Sequence, residues 1–418
     1  MIRSRVRVLA ALTVVVGLGI ATSGSPASGA PDRATRAPKF TGEPVTVATM
    51  GEFDVPSAGT KNPEWPGAVQ ARAKEINKGG GLKDANGDTH ELKVVVCNAA
   101  LDPNKAEQCA RDAAEAKVAA VIGINSSEEG QMLPILADAG IPVIAPVPVD
   151  PAATTNKVSF PITSGVPGAF IAMPELLAEK GAKKISFIYP DIPGAAAAKL
   201  FVDLGVKKGG AEDGGSVAVA PDATDLTPAI EAATKDGNDG VIAFLLGDTQ
   251  GTLLQTAKQQ GVDAKLVTAT PFLTPQLLKD LGDVTNGLLV VGTTVPITTK
   301  TKGGQQFSKD MKAFDKKLPR TDLAAQNWLG TWVFERVAET LAEINAATVL
   351  DGMGKIDNMD MGGLTPPLTT TKPFTSSNST VAAVLPRLYN PTVVYATIKN
   401  GKVFLVGKKS DPFVNPFP

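Results

Sequence analysis

Histidine is nearly absent from this chain, which holds one, His90, among 418 residues, beside two cysteines, three tyrosines and three tryptophans. A single imidazole supplies no His and Cys ligand set for zinc, and in the turn Asn86-Gly87-Asp88-Thr89 it has no setting as the base of a serine or cysteine triad. The chain also lacks a Gly-x-Ser-x-Gly elbow, a His-Glu-x-x-His pair and a glycine-rich phosphate loop. The expectation is a protein that is not an enzyme and uses no cofactor and no metal. Charge of one sign is missing too, with 41 basic against 42 acidic residues. Nucleic acid is therefore not an expected partner, because a phosphate backbone needs clustered Lys and Arg, and the densest basic stretch, residues 300–320, is broken by acids.

Long apolar runs are lacking as well, apart from residues 8–20. Arg3, Arg5 and Arg7 precede that run and Ser28-Gly29-Ala30 follows it, the pattern of an export leader over residues 1–30. The run is about 13 residues, short of the roughly 20 that span a bilayer. No cysteine follows it, so no lipid-modified cysteine is expected, and the mature protein is read as exported, extracytoplasmic and not a lipoprotein. In that compartment Cys97 and Cys109 are expected to form a disulfide, since Cys97 ends a strand-like run and Cys109 lies two turns into a helix capped by Asp102 and begun by Pro103; two free buried thiols are the alternative. The mature chain is too long for one hydrophobic core and suits two lobes.

What is present is an alternation. Short runs rich in Val and Ile at residues 45–50, 92–97, 119–123, 142–145, 184–189, 240–245, 265–269 and 287–292 are separated by helical patterns at 64–77, 129–139, 167–180, 226–235, 250–260 and 323–347. Such alternation predicts an α/β fold with parallel sheets covered by helices. Near the end, Asn400-Gly401 predicts a hairpin turn between residues 392–398 and 402–406. Residues 353–379, rich in Gly, Pro, Thr and Ser, read as a long loop or a poorly ordered insertion.

Several landmarks recur in order: Ala73-Lys74-Glu75-Ile76-Asn77 before glycines, Val94-Val95-Val96, Asp102-Pro103-Asn104-Lys105-Ala106, Asn125-Ser126-Ser127, Ala139-Gly140-Ile141-Pro142-Val143-Ile144, Asp239-Gly240-Val241-Ile242 and Ala257-Lys258-Gln259-Gln260-Gly261-Val262. With them, residues 44–408 resemble the leucine/isoleucine/valine-binding proteins of ABC importers, which have the type I periplasmic-binding fold. The resemblance implies two doubly wound lobes joined by a three-crossing hinge and closing on a ligand. Carried over, residues 31–43 are a linker, 44–163 plus 293–385 make lobe 1, 164–292 plus 386–408 make lobe 2, and 409–418 form a tail. It also implies a monomer that captures a small molecule and delivers it to ABC permease subunits. Alternatives are a ligand sensor for a membrane signalling system and an extracellular α/β hydrolase.

Ligands of open parallel sheets bind beyond the carboxyl ends of the strands, so the loops there supply the candidate site. In lobe 1 these loops contain Glu52, Thr60, Ser126, Ser127, Val147 and Val149, with Trp65 opening the first helix nearby. Ser126 and Ser127 stand at a helix start, where free N–H groups and hydroxyls make a seat for a carboxylate; capping of that helix is the simpler role. In lobe 2 the loops contain Tyr189, Asp191, Pro193, Leu246, Asp248, Thr270 and Phe272. Relative to the resembled family, Val149 stands for a carboxylate-binding threonine and Pro193 for a tyrosine before the glycine Gly194. Thr270-Pro271-Phe272 lacks the acid that pairs with a ligand ammonium; Asp248, Glu52 and Asp191 are the substitutes. With apolar walls of Val147, Val149, Pro193, Pro271 and Phe272, the expected ligand shifts from an amino acid toward a more apolar carboxylate, amide or ring compound.

Overall fold

Buried on both faces, the strand β1 (Val45–Gly51) is a mostly apolar run broken by Thr46 and Thr49, and it is the axis of the first sheet. The computed structural model describes residues 40–55, 60–192, 195–408 and 410–418. The leader and Pro193 lie outside them. Around β1 are β2 (Leu92–Asn98), β3 (Ala120–Asn125), β4 (Val143–Ile144) and β5 (Ser159–Phe160), all parallel, in the order β2-β1-β3-β4-β5. Helix α1 (Glu64–Lys78) packs with Val45 and Val47 on one face. On the other, α2 (Pro103–Glu115) and α3 (Glu129–Asp138) enclose Ala48 and Met50.

The second sheet repeats the pattern with β6 (Lys184–Pro190), β7 (Glu212–Val219), β8 (Gly240–Ala243), β9 (Lys265–Ala269) and β10 (Leu289–Gly292) parallel in the order β7-β6-β8-β9-β10. The antiparallel strands β11 (Val393–Lys399), β12 (Lys402–Leu405) and β13 (Phe413–Val414) extend it. Its helices include α4 (Gly165–Glu179), α5 (Ala198–Gly209), α6 (Thr227–Thr234) and α7 (Gly247–Gln259). After β10 the chain returns to the first sheet through α8 (Lys302–Phe314) and α9 (Asp322–Ala338), which pack on α1. The chain thus passes between sheets at residues 161–164, 293–301 and 385–392. These passages are tied together: Ser164 Oγ donates to Thr392 O and Asn390 Nδ2 to Ile162 O, each at 3.0 Å.

The helix expected over 323–347 ends at Ala338, and α10 (Ala346–Met353) starts afresh behind the capping box of Asn345 and Thr348. Tertiary contacts hold the break, since Ala85 N donates to Leu341 O and Asn86 Nδ2 to Ala342 O, both at 2.8 Å. Residues 353–379 are an irregular loop packed down on lobe 1 through Ile356, Met361, Leu364 and Leu368. Asp102 caps α2 as expected, accepting from Asn104 N and Lys105 N. That helix brings Cys109 to Cys97, which the structure joins with Cα atoms 5.6 Å apart. His90 precedes the start of β2, at the opposite edge from the strand ends that form the site.

Trp328 is fully buried against Trp332 at 5.0 Å and donates through Nε1 to Asp310 at 2.9 Å, so both tryptophans belong to lobe 1 packing. Arg72 lies over the two rings and pairs with Glu335 at 2.5 Å and Asp310 at 3.4 Å.

Candidate functional site

In an open sheet of order 2-1-3-4-5, the crevice lies where connections diverge, between β1 and β3. There the two strands approach so closely that a Cβ on Gly51 would stand 2.6 Å from Asn125 O. Only glycine fits that contact. The next residue, Glu52, is pinned at its backbone: its N–H donates to Asn125 O at 3.0 Å and its carbonyl accepts from Asn62 Nδ2 at 3.1 Å. Asn98 holds the following turn by accepting from Phe53 N and Asp54 N.

The half-buried Glu52 side chain reaches the serine pair. Its Oε1 accepts from Ser126 Oγ at 3.0 Å, Ser127 N at 2.8 Å and Ser127 Oγ at 2.9 Å. Ser126 is buried and also accepts from Glu128 N at 3.0 Å, so it caps the turn as well. The seat expected for a ligand carboxylate holds one that belongs to the chain itself. Beside it, Asn125 is buried with Nδ2 lacking a partner, and the fully buried Glu129 has Oε1 unpartnered. Glu129 Oε2 accepts from Val149 N at 3.2 Å and Asp150 N at 3.1 Å, shaping the loop after β4. Burial first, then the nearby charges of Asp150 and Glu52, raise the Glu129 carboxyl well above the usual range against the pull of those two amides.

On lobe 2 the strand ends carry rings. Phe170, Phe187, Tyr189, Phe244 and Phe272 form one cluster, with Phe244 and Phe272 centroids 4.6 Å apart and Tyr189 stacked on Phe187 at 5.2 Å. Tyr189, Phe244 and Phe272 stay partly exposed at the edge of the sheet. Phe244 was not read as a site residue, because it extends an apolar strand run; its position one residue past β8 was the available signal. Asp322 was missed as well. From the first turn of α9 its Oδ2 accepts from Thr270 Oγ1 at 2.5 Å and Thr293 N at 3.1 Å, and Oδ1 accepts from Thr294 Oγ1.

Val147, Leu323 and Gln326 of lobe 1 share one narrow cavity of about 30 Å³ with Phe170, Pro271 and Phe272 of lobe 2. That holds about one water and no organic ligand, whose sites run to hundreds of Å³. Val149, Leu246 and Asp191 are exposed on the surrounding loops, Asp248 is exposed in the first turn of α7, and Trp65 is half-buried at the start of α1. Thr60 lies in a short strand paired with Val55. A larger surface groove of about 360 Å³, lined by Lys265, Gly287 and Leu289, sits at the opposite edge, where the lobe 2 strands start. Among the described residues no group of three His, Cys, Asp or Glu is placed to hold a metal, and no helix is long and apolar enough to cross a membrane.

A family model described as periplasmic binding protein matches residues 44–383. No curated protein shows a significant sequence match to this chain. Among solved structures, an extracellular ligand-binding receptor from Verminephrobacter eiseniae aligns at 18% identity and TM-score 0.73, covering 86% of this chain and 99% of that one. A fatty acid ABC transporter substrate-binding protein from Thermomonospora curvata aligns at 15% and 0.73, covering 92% and 96%. A branched chain amino acid ABC transporter from Thermus thermophilus with bound valine aligns at 15% and 0.70, covering 88% and 97%. At these identities the likeness shows the fold.

Proposed function

Because the chain belongs to the periplasmic binding protein family, a family of binding proteins rather than enzymes, we propose that it is an exported, monomeric solute receptor that closes its two lobes on one small organic molecule and hands it to an ABC permease. One observation carries this reading: loops from the carboxyl ends of both sheets line a single cavity, with Val147 on one side and Phe272 on the other. The export pattern of residues 1–30 and the substrate-binding proteins among similar structures support transport. The ligand is read as largely apolar, since Val147, Leu323, Phe170, Pro271 and Phe272 line that cavity and only Thr293 and Gln326 bring polar side chains to it.

Such a clamp moves as two rigid bodies about the passages at 161–164, 293–301 and 385–392. Extraction of the purified protein under denaturing conditions, followed by mass spectrometry, identifies the copurified molecule. Small-angle scattering of the ligand-free protein, before and after that molecule is added back, then reads closure. A smaller radius of gyration with unchanged lobe structure is expected. An unchanged radius, together with solvent-open cleft loops by hydrogen exchange in both states, would count against a clamp.

A further inference from the structure

Three donors converge on Glu52 Oε1 within 3.0 Å at the crevice between β1 and β3: the Ser126 hydroxyl, the Ser127 amide and the Ser127 hydroxyl. That is the hydrogen-bond set a free carboxylate would seek at a helix start. The main chain of Glu52 is fixed beside the seat, since its N–H donates to Asn125 O and its C=O accepts from Asn62 Nδ2. We propose that Glu52 is a specificity residue: a resident carboxylate that fills the anion seat of the cleft, so that the protein rejects ligands bearing a free carboxylate and takes an apolar ligand whose polar end donates hydrogen bonds, as an amide, alcohol or amine does. This inference rests on the reading of the cleft as a ligand site.

Two further observations agree with it. The loops after β1, β3, β4 and β6 and the first turn of α7 carry Glu52, Asp54, Glu128, Asp150, Asp191 and Asp248, against two bases, Lys61, which is paired to Asp54 at 3.8 Å, and Lys157 near the end of the β4–β5 connection. A cleft lined by carboxylates repels another and favours donors or cations. Beside the seat, the buried Asn125 Nδ2 and Glu129 Oε1 have no partner in the protein, so the polar groups around Glu52 are not all satisfied from within the chain.

The test compares isovalerate, isovaleramide and isoamylamine by calorimetry on the wild type, Glu52→Ala and Glu52→Gln. Glutamine keeps an oxygen on the serines, whereas alanine empties the seat. Glu52→Ala should gain at least about tenfold in isovalerate affinity, the equivalent of one hydrogen bond to a charged group, while the wild type and Glu52→Gln show no gain. Isovalerate bound equally well by wild type and Glu52→Ala, or not at all by folded Glu52→Ala, overturns the assignment. If Glu52→Ala does not fold, a wild-type crystal grown in isovalerate decides: Glu52 still on Ser126 and Ser127 supports the proposal, and isovalerate in its place refutes it. Scattering separates this from the clamp reading. Isovalerate binding to Glu52→Ala without compaction keeps the seat and removes the clamp; compaction of the wild type by isovaleramide with no gain in Glu52→Ala does the reverse.

Discussion

The Thr270 hydroxyl donates to Asp322 Oδ2 at 2.5 Å, joining a cleft loop of lobe 2 to the first turn of a lobe 1 helix. The same carboxylate holds Thr293 and Thr294 in the passage between lobes. Loop and hinge therefore share one anchor. Removing only the loop contact, in Thr270→Val, should shift the free protein toward an open form, since a hydrogen bond to a charged group is worth about 1.5–3 kcal/mol. A larger radius of gyration without ligand is the expected readout. The same radius as wild type would show that this contact does not govern closure.

Cys97 and Cys109 should be bonded in the exported protein. Closing so short a loop is worth about 3 kcal/mol in the chain-entropy account. Paired Cys→Ser variants should lower the denaturant midpoint accordingly. Peptide mapping without reductant checks the bond directly, and two alkylatable thiols in native protein would refute it.

Arg72 neutralises the buried Asp310 and pairs with Glu335. Arg72→Ala leaves the Asp310 charge uncompensated and should cost about 3–5 kcal/mol at neutral pH. Burial already pushes the Asp310 carboxyl up. The loss should thus shrink in acid, where a protonated Asp310 needs no counter-charge. Urea titrations of both proteins at two pH values measure it; an equal loss at both would contradict the ion-pair account.

Burial raises Glu175 to about 7, against the opposing pull of Lys208 at 3.3 Å. A folded value above the unfolded one means that the native state binds the extra proton. The stabilisation is complete below the unfolded value and is lost as pH rises through about 7. Its size is on the order of 3 kcal/mol. Glu175→Gln should flatten the fall in melting temperature across this window. If the variant declines as steeply as wild type, another group is responsible.

Glu129 is expected to behave as a neutral side chain that organises the loop after β4. Glu129→Gln retains an oxygen for Val149 N and Asp150 N and should be nearly silent, whereas Glu129→Ala orphans both amides and should cost about 1–3 kcal/mol. Thermal melts compare the two. Equal destabilisation by both would mean that the carboxylate charge matters.

The sequence by itself determined the class of fold and the direction of the site. Strands β1, β3 and β6 are legible because burial on both faces favours short runs rich in Val, Ile, Ala and other apolar residues, and the cap at Asp102 is local chemistry. Edge strand β7, Glu-Asp-Gly-Gly-Ser-Val-Ala-Val, left no such trace, because it is mostly exposed and a half-solvated edge needs no apolar run. The break after Ala338 was equally hidden, since it is made by donors from Ala85 and Asn86, far away in the chain. Ser126, Ser127 and Glu52 were each legible as residues of cleft loops. Only the tertiary structure decided that they bond to one another, because β1 and β3 lie side by side although more than sixty residues separate Gly51 from Asn125. Asp322 shows the same rule: its meaning comes from Thr270, Thr293 and Thr294, brought to it by the hinge and by no pattern along the chain.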